Sequence, residues 1–373
     1  MRKWLVLIGA ALVLSTATAR TQGRKTFDIY FIDVEGGQST LFVSPTGESL
    51  LVDAGNPGDR DADRIAATAK QAGVKRIDYL VVTHYDGDHV GGVKDIADRL
   101  PIRTFVDHGT RIPPPGALAL TPDAQANVDR LDQRYLEARA KGRHIEAKAG
   151  DKVPIQGLDV QVVSSNGAVV NKSLTGRTTT NPLCREFVPH PQDTTENINS
   201  VGIAVSAFGR FRILDLGDLT WNTEHDLVCP NNLIGTMDVY LTTHHGLARS
   251  GPPALVHAIR PRVAIMNNGP QKGDSRETWD TLKSSPGLED IWQLHFSLQR
   301  PPNPRFEETG QPGGKDLNAP EPFIANLGEA PPTHAPAYAL RISVRSDGSF
   351  TVSNTRNGYS KEYKAGGEHP GSR

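Results

Sequence analysis

The stretch Val81-Val82-Thr83-His84-Tyr85-Asp86-Gly87-Asp88-His89-Val90-Gly91-Gly92 sets four candidate metal ligands, His84, Asp86, Asp88 and His89, within six positions. Imidazole and carboxylate suit Zn²⁺, Mn²⁺ or iron, and two such clusters can hold two ions about 3.5–4 Å apart with water between them. The chemistry on offer is hydrolysis by activated water, with Asp88 both ligating and orienting the attacking oxygen. Gly87, Gly91 and Gly92 permit the tight turns and close helix approach that such a loop needs. The alternative is a polar surface loop capped by a helix, which has no need of four ligating side chains so close together. Asp218 is a further candidate. After Gly217, at the end of an apolar strand, it is costly to bury unless paired or metal-bound, the alternative being a cap for a following helix.

Such side chains need rigid elements behind them. Ile77 to Val82 reads as a short buried strand feeding the loop, and Phe27 to Asp33, Ser39 to Val43 and Ser49 to Val52 as strands separated by Gly and Pro turns. The spacing of Ile65, Ala66 and Ala69 predicts a helix from Asp61 to Ala72, with Gly73 at its C-cap. A second helix starts after Gly92 and stops at Pro101, and a third runs from Thr121 to Lys141 with Thr121-Pro122 as N-cap and first helical residue. A second β-rich half holds strands at Leu158 to Val163, Val201 to Ala207, Arg210 to Leu216 and Val239 to Thr243, with helices at Pro253 to Ile259 and Ser275 to Lys283. This order implies an α/β fold of two packed sheets clad outside by helices. Asn166 to Glu196 and Pro301 to Pro336 read as insertions without periodicity, and Tyr338 to Val344 with Ser349 to Asn354 as a closing β-hairpin.

The 373 residues are 37% hydrophobic and 22% charged, which supports a large core and excludes wholesale disorder. The 41 Lys and Arg nearly cancel the 42 Asp and Glu, so no global field attracts polyanions and any phosphate recognition must be local. Met1-Arg2-Lys3, the apolar run Leu5 to Leu14 and the small residues Ala17-Thr18-Ala19 predict a signal peptide over 1–19 rather than a membrane anchor. The expected location is therefore periplasmic or secreted, with no membrane attachment after cleavage. Export makes Cys184 and Cys229 candidates for a disulfide, two free thiols being the alternative.

The motifs resemble those of the metallo-β-lactamase superfamily, whose signature is HxHxDH after a strand; Asp86 stands where the second His would be. The HxDxDH variant is similar to the C-terminal hydrolase domain of ComEC-type DNA-uptake proteins and their free-standing relatives. Phe31-Ile32-Asp33-Val34-Glu35-Gly36-Gly37-Gln38-Ser39, Leu51-Val52-Asp53-Ala54-Gly55, Glu196-Asn197-Ile198-Asn199-Ser200-Val201, Leu214-Asp215-Leu216-Gly217-Asp218 and His244-His245-Gly246 follow in the family's order. The resemblance implies an αββα sandwich of two mixed sheets, a single domain over 24–364. It implies two divalent ions, Zn or Mn, with His84 and Asp86 on the first, Asp88 and His89 on the second, and Asp218 bridging. His245 matches the family's last His, with His244 as its alternative, and Asp53 either orients the metal loop or is a simple turn residue. The family's opening carboxylate is missing at Gly36-Gly37-Gln38-Ser39, the first ion lacks a clear third His, Asn199 occupies a position where the ComEC-like group carries Asn, and Leu247 replaces a usual Ser that Ser250 could supply.

Ions of this kind polarise carbonyl and phosphoryl centres alike, so the motif does not name the bond cleaved. The variant favours a small phosphoester or phosphodiester substrate and leaves nucleic acid open. The rivals are an amide or lactone hydrolase, β-lactamases included, and a non-catalytic exported metal-binding accessory of DNA uptake. No feature specifies the oligomeric state.

Overall fold

Short runs of β-branched and aromatic residues pair into two mixed sheets. The computed structural model describes residues 26–298, 315–328 and 337–366, so the predicted signal peptide lies outside the described residues. In spatial order the first sheet holds Ser360–Tyr363, Phe350–Asn354, Leu340–Arg345, Thr26–Phe31, Thr40–Val43, Ser49–Val52, Ile77–Val81, Ile102–Asp107 and Arg143–Glu146. The second holds Ile324–Asn326, Asp290–His295, Val263–Met266, Val239–Leu241, Phe211–Asp215, Gly202–Ala207, Asp159–Ser165 and Lys152–Val153, with Ala168–Val169 beside Asp159–Ser165.

The inner faces of both sheets share one core, in which Phe27, Phe42 and Val81 meet Val205, Phe211 and Trp292. Outside the first sheet, the helices Asp59–Gln71, Val93–Ala97 and Pro122–Arg139 bury Ile65, Ile96 and Tyr135. Outside the second, Pro253–Ile259 and Arg276–Lys283 bury Leu255 and Leu282. The layers are those of the expected αββα sandwich. Thr121 caps the long helix with its side chain, accepting from the Ala124 N–H, and Pro122 follows as expected.

Two expectations need correction. The insertion at 166–196 is not structureless: Thr179–Thr180 pairs with Asn231–Asn232, and Cys184 is disulfide-bonded to Cys229 with Cα atoms 5.7 Å apart. Within 301–336, Ile324–Asn326 extends the second sheet parallel to Asp290–His295, while 301–314 and 329–336 lie outside the described residues. The strands Ile102–Asp107 and Asp290–His295 were not expected either; each is six residues with a charge in its pattern, and only parallel pairing to a neighbour identifies it.

This topology decides where chemistry can occur. Ser49–Val52, Ile77–Val81 and Ile102–Asp107 run parallel, as do Phe211–Asp215, Val239–Leu241 and Val263–Met266. Loops leaving the carboxyl ends of such strands gather at one edge, the usual place for a ligand.

Candidate metal centre

Except for Asn199, which precedes the strand Gly202–Ala207, each candidate side chain leaves the carboxyl end of a strand. Asp53 follows Ser49–Val52, the His84 to His89 loop follows Ile77–Val81, Asp218 follows Phe211–Asp215, and His244 and His245 follow Val239–Leu241. The loops are packed backbone to backbone. A Cβ at Gly92 would lie 2.1 Å from the Ala54 carbonyl oxygen, and Gly217, at φ 57°, would place one 2.7 Å from the Thr83 Cβ. Asp53, His244 and His245 hold φ values of 58°, 55° and 57°, which non-glycine residues adopt only when their surroundings impose it.

Asp53 is fully buried and organises the His84 to His89 loop. Its Oδ1 accepts the Thr83 backbone N–H at 2.8 Å, and its Oδ2 accepts the Thr83 hydroxyl and the His89 Nδ1–H, each at 2.7 Å. Thr83 has committed its hydrogen to Asp53, so it accepts from His84 Nδ1–H at 3.1 Å. Both imidazoles therefore turn a lone pair on Nε2 toward the centre.

Those lone pairs face one another and the carboxylates. His89 Nε2 lies 3.3 Å from both His245 Nε2 and Asp218 Oδ1, and 3.5 Å from Asp88 Oδ2. His245 Nε2 is 3.4 Å from both Asp88 Oδ2 and Asp218 Oδ1. Ligand atoms held about 2.0–2.1 Å from one tetrahedral ion stand roughly 3.3–3.4 Å apart, so these spacings fit a divalent ion. On the other side, His84 Nε2 is 3.7 Å from Asp86 Oδ2, and His244 Nε2 is 3.4 Å from Asp218 Oδ2. The buried atoms His84 Nε2 and Asp218 Oδ1 have no hydrogen-bond partner among the described residues, as expected of groups whose partner is a cation. Asn199 stands apart, donating through Nδ2 to Glu196 Oε2 at 3.1 Å and to the Ile112 carbonyl.

Burial alone would raise the Asp218 carboxyl, but His244, His245 and His89 outweigh it and hold it well below the usual range. Burial likewise opposes ionisation of Asp88, which Lys272 and His89 keep well below its usual value. Burial pushes His244 down to about 4, against the pull of Asp218.

A family model described as the metallo-beta-lactamase superfamily matches residues 32–163, the stretch that carries Asp53 and the His84 to His89 loop. The match spans 132 of the 373 residues. The Beta-lactamase-like protein 2 homolog of Caenorhabditis elegans is 31% identical over 64 residues, 17% of this chain and 22% of that protein. A UPF0173 metal-dependent hydrolase of Staphylococcus saprophyticus is 35% identical over 63 residues, 17% of this chain and 25% of that protein. The matched stretch thus spans a quarter or less of these curated relatives. Among solved structures, the metallo-beta-lactamase fold protein YhfI from Bacillus subtilis aligns with 72% of this chain and 86% of its own at 11% identity and a TM-score of 0.39. The fold of this superfamily implies divalent ions at the centre just described.

Sequence reasoning missed four residues around this centre. Lys272 Nζ lies 2.5 Å from Asp88 Oδ2, although 184 positions separate them in the chain. Gln38, in the opening turn that lacks the family's carboxylate, donates to Asp215 Oδ1 at 2.8 Å, and burial pushes Asp215 up to about 7. Glu224 is wholly buried in the helix Trp221–Asp226, where Oε2 accepts the Gly251 N–H at 2.6 Å and pins the turn after His245. The Asp-Leu-Gly-Asp spacing was a signal for Asp215; nothing local pointed to Lys272 or Glu224.

Glu224 gives a pH prediction. Burial raises its carboxyl from 4.5 to about 8, so the folded protein keeps a proton that the unfolded chain releases. Its contribution to stability is therefore fully present below pH 4.5 and declines as pH rises toward 8. Glu224→Gln keeps an acceptor for Gly251 without the charge and is expected to stabilise the protein at pH 8 by about 1–3 kcal/mol. Melting curves of both proteins across pH check this: the gain should shrink on acidification, and a pH-independent difference would refute it.

Proposed function

We propose that this chain is an exported metal-dependent hydrolase of phosphodiesters, with Zn²⁺ or Mn²⁺ as its ions. The observation that carries the reading is the composition of the accessible side of the centre. His84, His89 and His245 are 0% exposed and Asp218 is 4%, whereas Asp86 is 44%, Lys272 30% and Asp88 24% exposed. A substrate must arrive over the last three, where Lys272 offers the positive charge. Burial lowers its pKa, but Asp88 and Asp218 outweigh this, and the ammonium stays charged. A phosphodiester carries an anionic oxygen at the reacting phosphorus that such a group can pair. Asp86 in place of a neutral imidazole makes the first ion site harder and more oxygen-rich, which suits Mn²⁺ and phosphoryl chemistry.

When bound, divalent ions supply Lewis-acid activation of water and of the substrate oxygen. The chain's own groups do the rest. Asp53 and Thr83 fix the tautomers of His84 and His89, Asp88 orients the attacking oxygen, and Lys272 holds substrate charge. The Cys184–Cys229 disulfide and the basic, apolar and small-residue start support export.

The test compares hydrolysis of bis(4-nitrophenyl) phosphate with that of a chromogenic cephalosporin, using protein loaded with Mn²⁺ or Zn²⁺ and Asp88→Asn as inactive control. The phosphodiester should be cleaved faster, with weak salt dependence because the net charge is only −1. Lys272→Met is expected to lower phosphodiester kcat/KM by about 10–100-fold, with partial rescue in Lys272→Arg. Cephalosporin hydrolysis without phosphodiester turnover would instead establish the amide-hydrolase alternative.

A further inference from the structure

His244 and His245 are consecutive, yet both aim at Asp218. His245 Nε2 is 3.4 Å from Oδ1 of that carboxylate and His244 Nε2 is 3.4 Å from Oδ2. Adjacent side chains in extended backbone point to opposite sides. Here both residues sit in the left-handed region, φ 55° and 57°, and this turn lets two neighbouring imidazoles flank one carboxylate. A core histidine would not need that strain.

The proton count on His244 sharpens the point. Its Nδ1 is 3.3 Å from Ser250 Oγ, and that hydroxyl gives its hydrogen to the Leu219 carbonyl at 2.6 Å. The Ser250 oxygen can then only accept, so Nδ1 carries the hydrogen and Nε2 a lone pair. A lone pair facing a carboxylate oxygen at 3.4 Å is repulsive unless a cation lies between them. Ser250 thereby plays toward His244 the part that Thr83 plays toward His84. His84 Nε2 is a buried atom with no hydrogen-bond partner among the described residues.

We infer that His244 is a metal ligand and completes the first ion site with His84, Asp86 and Asp218 Oδ2, while His245 serves the second with Asp88, His89 and Asp218 Oδ1. The two adjacent histidines divide the two ions between them. This rests on the two-ion reading of the centre.

Titration of the metal-free full chain with Zn²⁺, followed by calorimetry and by metal content after desalting, tests it. The wild type should take two equivalents. His244→Asn, chosen because asparagine tolerates left-handed backbone, should keep the ion of Asp88, His89 and His245 and bind the other at least about tenfold more weakly. His245→Asn should lose the opposite ion. Thermal melts report folding, and His244→Gly, which relieves the backbone, replaces the asparagine variant if that one unfolds. Two equivalents at wild-type affinity in the folded His244 variant would overturn the assignment and leave the two-ion centre standing. A wild type that binds only one equivalent would overturn the two-ion reading itself, and this assignment with it.

Discussion

Replacing Asp218 with alanine is expected to remove at least one metal equivalent and lower turnover by about 10²–10³-fold or more, with the fold intact. The side chain is 4% exposed, and its two oxygens face different histidines: Oδ1 stands 3.3 Å from His89 Nε2 and 3.4 Å from His245 Nε2, Oδ2 3.4 Å from His244 Nε2. No neighbour can supply a second oxygen pair at that point, because Asp88 is engaged by Lys272 at 2.5 Å and Asp86 lies on the far, open side. Asp218 belongs to a loop rather than to a strand or helix interior, so its loss removes charge and ligation without breaking a hydrogen-bonded ladder. Metal content, circular dichroism and turnover of the variant separate these effects. Full occupancy and wild-type rates in a folded Asp218→Ala protein would show that another group holds the ions.

Asp53→Asn should have the second largest effect, although Asp53 faces the ions only through His89 and Thr83. The aspartate accepts three hydrogens, from the Thr83 backbone, the Thr83 hydroxyl and His89 Nδ1. An asparagine accepts through one atom only and presents an N–H through the other. Either Thr83 loses its acceptor, releasing His84, or His89 shifts its proton to Nε2 and can no longer ligate. Metal affinity is expected to fall about 10–100-fold, the range seen when groups behind a ligating histidine are changed. Asparagine is tolerated at φ 58°, so the fold should survive. Zinc titration of the variant is the measurement, and an unchanged affinity would reduce Asp53 to a turn residue.

Much of the architecture could be read locally. The strands at Ile77–Val81 and Phe211–Asp215 and the helix from Pro122 announce themselves by apolar runs, Gly and Pro punctuation, and the Thr121 cap. Ile102–Asp107 and Asp290–His295 escaped because a six-residue strand interrupted by Arg103 or Gln293 carries no periodicity to distinguish it from loop. The 166–196 stretch looked unstructured for a related reason: its Cys184–Cys229 bond depends on a residue 45 positions away, and its short pairing at Thr179–Thr180 on the still more distant Asn231–Asn232.

The same division runs through the centre. His84, Asp86, Asp88 and His89 were legible because one loop must carry them together, so their spacing is itself the signal. Asp218 could be read from the cost of burying a lone carboxylate at a strand end. Tertiary structure alone brought Lys272 to Asp88, buried Glu224 against Gly251, and aimed both His244 and His245 at Asp218. The physical reason is that parallel strands deliver their carboxyl ends to one edge from distant parts of the chain. Spacing along the backbone says which side chains share a loop, but which loops face each other, and with which nitrogen, is settled only when the two sheets pack.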